Sequence, residues 1–333
     1  MKNNKMMRAA SGLMIAALLT TGMISGTFAK YTTQDELNDS ARVAKWGVNL
    51  GISGNLYGEA YGGADNNTII ANTANGATVK SSADGTKVVA PGTKNANSGL
   101  HITLNGTPEV STKVYGTVKT QNIYLAKGTY GVMVEANHVT AEDFAAGKDK
   151  KYYTEANGTY AEVNSYVKGT TYYTLEDEVT LAAPYYPVIY TGAGVTKGTT
   201  TTDSLNAIGA NIAKVLSNNT DVTPTSENGV NVYTVTTGTT YAPNTDLTTA
   251  LPNIAATNIT WEWAFDGNDG ADTILGDLIA GTGSKVVYKD TSDYKAITVD
   301  NNTGLATAGT AAKTTVASTK TSFAITLTVE QAD

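Results

Sequence analysis

The chain predicts an all-β fold: a jelly-roll-like antiparallel sandwich with a helix-containing insertion. Three observations carry that expectation. Tyrosine is unusually frequent (19 copies against 4 Phe) and threonine is abundant, and both favour pleated, half-buried surfaces. Glycine (33 copies) and asparagine supply turns between short apolar segments. Strand-like alternation occupies both ends of the chain while the clearest helical period lies in the middle, which argues against a βαβ sheet. The expected organisation is residues 51–139 and 251–333 forming the sandwich, with 140–250 as a Tyr-rich β/α insertion or small lobe.

In chain order, Met1–Ala29 reads as an export signal. Lys2, Lys5 and Arg8 precede the apolar run Leu13–Leu19, which Thr20, Thr21 and Gly22 interrupt, and small residues lead to Thr27-Phe28-Ala29. The apolar core is too short for a membrane span, so cleavage between Ala29 and Lys30 is expected. Val43 to Leu56 alternates as a strand through Val48, Leu50 and Ile52, and Gly58 to Gly85 reads as a loop with one short strand at Thr68-Ile69-Ile70. Leu100 to Leu104 alternates and Asn105-Gly106 marks a turn. Val110–Val118, Asn122–Leu125 and Tyr130–Val134 follow as strands.

Beyond Thr140 the composition shifts. Ala141–Phe144 has short helical character. Lys151-Tyr152-Tyr153-Thr154 and Thr171-Tyr172-Tyr173-Thr174 suggest a hairpin or meander with alternating tyrosines. Tyr185 to Tyr190 is a strand near an edge, because Pro187 cannot donate to a ladder. Thr202-Asp203-Ser204 offers an N-cap to a helix whose apolar stripe is Leu205, Ile208, Ile212, Val215 and Leu216, ended by Ser217-Asn218-Asn219. Val230–Val235 and Asn258–Phe265 are strands, the second with Trp261 and Trp263 on one face. Asp272–Ile279 is a short helix, and Lys285–Tyr288, Ala296–Val299 and Thr321–Glu330 complete the sheets.

Composition also bounds function. Removing the signal removes three positive charges and takes the formal charge from −7 to −10. A chain so acidic lacks the clustered Lys and Arg that grip nucleic-acid phosphates or an anionic membrane. With no cysteine, disulfide staples and thiolate metal sites are excluded. Glu330-Gln331-Ala332-Asp333 carries no sorting motif or apolar tail, so the expectation is a product released, or held by other proteins, with no stable membrane anchor after cleavage.

The runs Gly26-Thr27-Phe28-Ala29-Lys30-Tyr31 and Asp39-Ser40-Ala41-Arg42-Val43-Ala44-Lys45-Trp46-Gly47-Val48 resemble the N-terminus of the TasA/camelysin family, exported proteins of Gram-positive bacteria matured by a SipW-type signal peptidase. Val88-Val89-Ala90-Pro91-Gly92-Thr93, Gly106-Thr107-Pro108-Glu109-Val110 and the final strand Phe323–Gln331 also resemble it. The resemblance covers both ends and the first third; about 140–250 matches no motif of the family. It implies a secreted subunit of an extracellular or biofilm matrix fibre, whose cleaved N-terminal segment completes the sheet of the next copy. Here that donor is 30–50, with Val43, Trp46 and Val48 as the residues to bury. Its implied partners are other copies of the chain, the signal peptidase and an accessory matrix protein.

Camelysin's name raises a metalloprotease reading, but the chain has only His101 and His138 and no His-Glu-x-x-His helix. Asp266-Gly267-Asn268-Asp269-Gly270-Ala271-Asp272 superficially resembles a calcium loop; read structurally, it is a turn whose Asp272 caps the next helix. No Gly-x-Ser-x-Gly, Walker or dinucleotide motif is present, and no catalytic, cofactor or metal residue is assigned. The alternative to a fibre subunit is a monomeric surface-binding module that uses the tyrosines of the insertion; a secreted hydrolase is a weaker third reading.

Overall fold

A computed structural model describes residues 42–54, 56–57, 71–72, 77–78, 88–95, 99–145, 149–265, 267–280, 285–310 and 313–332. The segment at Thr68-Ile69-Ile70 lies outside them. Of the described residues 47% are in strands and 14% in helices, and the ladders are antiparallel.

The first strands are β1 (Asn49–Ser53), β2 (Ala71–Asn72), β3 (Ala77–Thr78), β4 (Leu100–Asn105), β5 (Thr112–Gln121), β6 (Tyr124–Leu125) and β7 (Gly128–Ala136). The middle carries β8 (Tyr152–Ala156), β9 (Thr159–Val163), β10 (Tyr172–Leu181), β11 (Val188–Thr191), α1 (Ser204–Leu216), β12 (Thr225–Glu227) and β13 (Val230–Tyr241). After α2 (Leu247–Ala250) and α3 (Pro252–Ala255) come β14 (Ala256–Trp263), α4 (Asp269–Ala280), β15 (Lys285–Asp290), β16 (Asp293–Val299), β17 (Leu305–Ala308), β18 (Thr314–Ser318) and β19 (Ser322–Gln331).

Two four-stranded sheets, β1-β4-β14-β11 and β12-β13-β5-β19, form the sandwich. Helix α1 packs on β5 and β13 of one sheet and on β11 of the other. Its stripe folds as expected: Leu205, Ile208, Ile212 and Leu216 are fully buried, and the Asp203 carboxylate accepts the Asn206 N–H as N-cap. Each such side chain contributes about 1.5–3 kcal/mol by leaving water. Trp261 and Trp263 share the buried face of β14. The sheets are also joined by a polar contact. Tyr190 of β11, completely buried, lies 2.6 Å from the Thr321 hydroxyl and 3.1 Å from that of Tyr57.

Asn105-Gly106 does not close a hairpin. Strand β4 pairs with β1 and β14, while β5 pairs with β13 and β19, so the turn is a corner that carries the chain from one sheet to the other.

The third sheet alters the expected division of the chain. Strand β15 pairs with β7 on one edge and β16 on the other, and the run β7-β10-β8-β9-β16 joins those two ends. Six antiparallel strands therefore close into a small barrel, from which β17, β18 and β6 continue outward. Residues 140–250 are not one lobe. Their β8, β9 and β10 belong to the barrel, whereas β11, α1, β12 and β13 belong to the sandwich. Conversely β7, β15 and β16, expected in the sandwich, supply half of the barrel wall. Long-range pairing decides this division, and no local pattern encodes it.

The barrel interior holds Met133, Tyr153, Tyr160, Tyr173, Val287 and Tyr294. Tyr153 meets Tyr294 edge to face with centroids 5.7 Å apart, and Tyr160 meets Tyr173 at 5.2 Å. Gly131 also faces inward: a Cβ there would stand 2.6 Å from Leu175 Cδ1. The neighbouring tyrosines Tyr152 and Tyr172 point outward, as strand period demands, yet they are equally buried, under Phe144 and Tyr166.

Candidate functional site

The N-terminal arm, Arg42 to Val48, leads into β1, an edge strand of the sandwich. The cleavage pair Ala29 and Lys30, and the donor stretch up to Ala41, lie outside the described residues. The arm is in no ladder. Its burial alternates with period 2: Ala44, Trp46, Val48 and Leu50 are half-buried, while Val43, Lys45 and Gly47 face water. Val48 and Leu50 pack on the sandwich core. Val43, which the donor reading expects to bury with Trp46 and Val48 in a neighbouring copy, is 79% exposed on its own subunit, where odd-numbered residues fall on the outer face.

The arm is held at one corner. The Arg42 guanidinium clasps the Glu109 carboxylate through both nitrogens, at 2.6 and 2.8 Å. The backbone N–H of Lys45 donates to the same carboxylate at 2.9 Å, and the Glu109 N–H donates to the Lys45 carbonyl at 2.9 Å. These donors, Arg42 first, hold the Glu109 carboxyl at about 2, well below its ordinary value. Beside it Gly106, at φ 135°, is contacted so closely that a Cβ would stand 2.3 Å from the Gly47 carbonyl oxygen. The corner is fixed from behind: Leu247 N–H donates to the Gly106 carbonyl at 3.0 Å and Asn244 N–H to the Pro108 carbonyl at 2.7 Å.

In the sequence Gly106 stands out as part of the Asn105-Gly106 turn signal, and Glu109 only within the Gly106-Thr107-Pro108-Glu109-Val110 stretch. Their role was not legible, because Arg42 and Glu109 are 67 residues apart. A lone Arg-Glu pair at that separation leaves no periodic trace.

The other candidate sites resolve into structure. Asp266 lies outside the described residues. Within the rest of that loop, Asn268 Oδ1 accepts the Ala271 N–H, so Asn268 and not Asp272 provides the side-chain cap at the start of α4. Asp272 lies inside the first turn, where its two oxygens accept from the Tyr185 hydroxyl at 2.8 Å and from Trp263 Nε1 at 3.3 Å. Burial raises its pKa. His101 is half-buried on β4 and His138 is exposed in a turn at positive φ. No group of three or more His, Cys, Asp or Glu suited to a metal occurs among the described residues.

Most tyrosines of the insertion are turned inward, with Tyr166, Tyr186 and Tyr241 half-buried. Tyr152, Tyr153, Tyr160, Tyr172 and Tyr173 are all buried. A cleft of about 430 Å³ lies between the end of β10 and the start of α4, lined by Thr180, Leu181, Pro184, Tyr185, Thr200 and Asn268. Strand β19 pairs along one edge with β5 over ten residues, and its other edge carries no ladder among the described residues. No helix among them is long and apolar enough to cross a membrane. Compared with family models, curated proteins and solved structures, the chain has no match in any of the three.

Proposed function

We propose that the chain is a secreted structural subunit of an extracellular matrix or biofilm fibre, of the kind the TasA/camelysin resemblance implies. It assembles by N-terminal strand addition after a SipW-type signal peptidase has cut between Ala29 and Lys30. The partners are other copies of the chain, with an accessory matrix protein as a further component. The observation that carries this reading is the arm: Arg42 to Val48 is extended, half-buried on alternate residues and outside every ladder, and it runs into an edge strand. Strand addition gives the backbone of such a segment ladder partners while alternate side chains set the register. The open edge of β19 offers a second place for such pairing.

A surface-binding module that uses exposed tyrosines finds less support, because those rings fill the barrel and its outer cover. Tyr152→Ala or Tyr172→Ala would therefore test folding before binding.

The test compares a chain beginning at Lys30 with one beginning at Asn49 by light scattering and electron microscopy. Filaments from the longer chain alone are expected. If both stay monomeric at high concentration, strand-donating homopolymerisation is wrong.

A further inference from the structure

We propose that the Gly106–Glu109 corner is a latch that keeps the N-terminal arm on its own subunit, and that opening it is the salt-sensitive step that frees the arm for a second copy. This rests on the assembly reading above and adds its regulation.

Four features build the latch. The Arg42–Glu109 contact is bidentate, the geometry in which a surface ion pair is strongest. Lys45 and Glu109 exchange two further hydrogen bonds, one from each backbone N–H. Gly106 leaves room for the Gly47 carbonyl that any side chain would fill. The corner is held by Asn244 and Leu247 independently of the arm, so the receiving surface persists when the arm leaves. Among the described residues no other contact ties 42–45 as firmly: Val43 faces water, and the ladder to β4 begins only at Asn49.

Salt separates this latch from the rest of the arm's attachment. At about 1 M salt the screening length falls to about 3 Å, and an exposed ion pair loses most of its attraction. Burial of Trp46, Val48 and Leu50 is not weakened in that way. Salt thus opens the arm from its outer end while β1 remains paired.

The experiment uses the full-length gene product as secreted, in three forms: unchanged, Glu109→Gln, and Lys45→Cys/Glu109→Cys, the last made simple by the absence of other cysteines. Hydrogen exchange of residues 42–48 and the lag of assembly are read at low and high salt. Glu109→Gln should speed exchange of the arm and shorten the lag by roughly five-fold at low salt, the scale of a good surface pair. The unchanged protein should approach the variant at high salt. The oxidised double-cysteine form should stay monomeric until reductant is added. Arg42→Gln, at a side chain 73% exposed, removes the same pair without touching the corner and should match Glu109→Gln.

If the unchanged and oxidised forms assemble alike, the latch is wrong while the assembly reading stands. If no form assembles under any condition although Glu109→Gln frees the arm, the assembly reading fails and the gate falls with it. Arm exchange unaffected by either substitution overturns the latch itself.

Discussion

The sandwich and the barrel solve the same problem with different residues. The sandwich core is largely aliphatic, gathered around α1, with Trp261 and Trp263 as its largest members. The barrel core is four tyrosines with Met133 and Val287. Geometry explains the contrast. An eight-stranded barrel is just wide enough for side chains to fill, and six strands enclose less. Flat rings packed edge to face, with Gly131 and Ala296 as small partners, suit that narrow space. A phenol also ends in a hydroxyl, which reaches polar partners at the barrel mouths: Tyr173 receives the Lys285 ammonium at 3.0 Å, and the Glu178 charge acts on Tyr294. In the sandwich the fully buried Tyr190 must find its partners inside. Tyrosine thus serves as an amphipathic filler in one body and as an internal cross-link in the other.

The largest effect should come from emptying either core. Tyr294→Ala in the barrel and Ile208→Ala in α1 are each expected to cost about 2–5 kcal/mol, with the tyrosine in the upper half of that range. Denaturant midpoints measure the cost, and hydrogen exchange separates the bodies. Tyr294→Ala should unprotect 128–136, 152–181 and 285–299 before 204–241. Uniform loss of protection would mean that the two cores fold as one unit.

A smaller effect tests how tightly the barrel is filled. Gly131→Ala puts a methyl 2.6 Å from the end of the Leu175 side chain, and the overpacking should cost about 1–3 kcal/mol. Adding Leu175→Ala should recover part of that cost in a double-mutant cycle. A fully additive cycle would show that the strain lies in the backbone and not in this contact.

The sequence exposed elements better than it exposed their partners. Leu205, Ile208, Ile212 and Leu216 announced α1 through their spacing, and Thr202-Asp203-Ser204 announced its start, with Asp203 as the residue that caps it, since both signals are local. Pro187 correctly marked an edge: β11 begins one residue later and pairs only with β14 among the described residues. Tyr152-Tyr153 and Tyr172-Tyr173 announced strands, but adjacent tyrosines face opposite sides, and only the closing pair β15–β16 reveals that one side is a barrel interior. Asn105-Gly106 has the residues of a hairpin and makes a corner between sheets instead. The latch was hidden for the same reason, because Glu109 acquires its meaning from a residue 67 positions away.

The smallest effect lies at the seam between the two bodies. Asp272 takes hydrogen bonds from Tyr185 and Trp263 at the foot of α4, a helix that packs on the barrel strands β7, β10, β15 and β16. Burial raises its pKa, and that of Asp203 at the foot of α1. A carboxyl whose folded pKa is raised binds its proton more tightly in the folded state. Its ionisation therefore costs stability as pH climbs from the ordinary value near 3.8 through the raised one, and the cost is absent below. Stability attributable to these groups should fall slightly as pH rises from the ordinary value near 3.8 through the raised one. Asp272→Asn removes one titration while keeping one acceptor for the two donors, so it should be less stable at acid pH and flatter across that window. Urea midpoints at either end of that window give the slope. An unchanged slope in Asp272→Asn that disappears in Asp203→Asn would move the origin of the pH dependence from the seam to the interior of the sandwich.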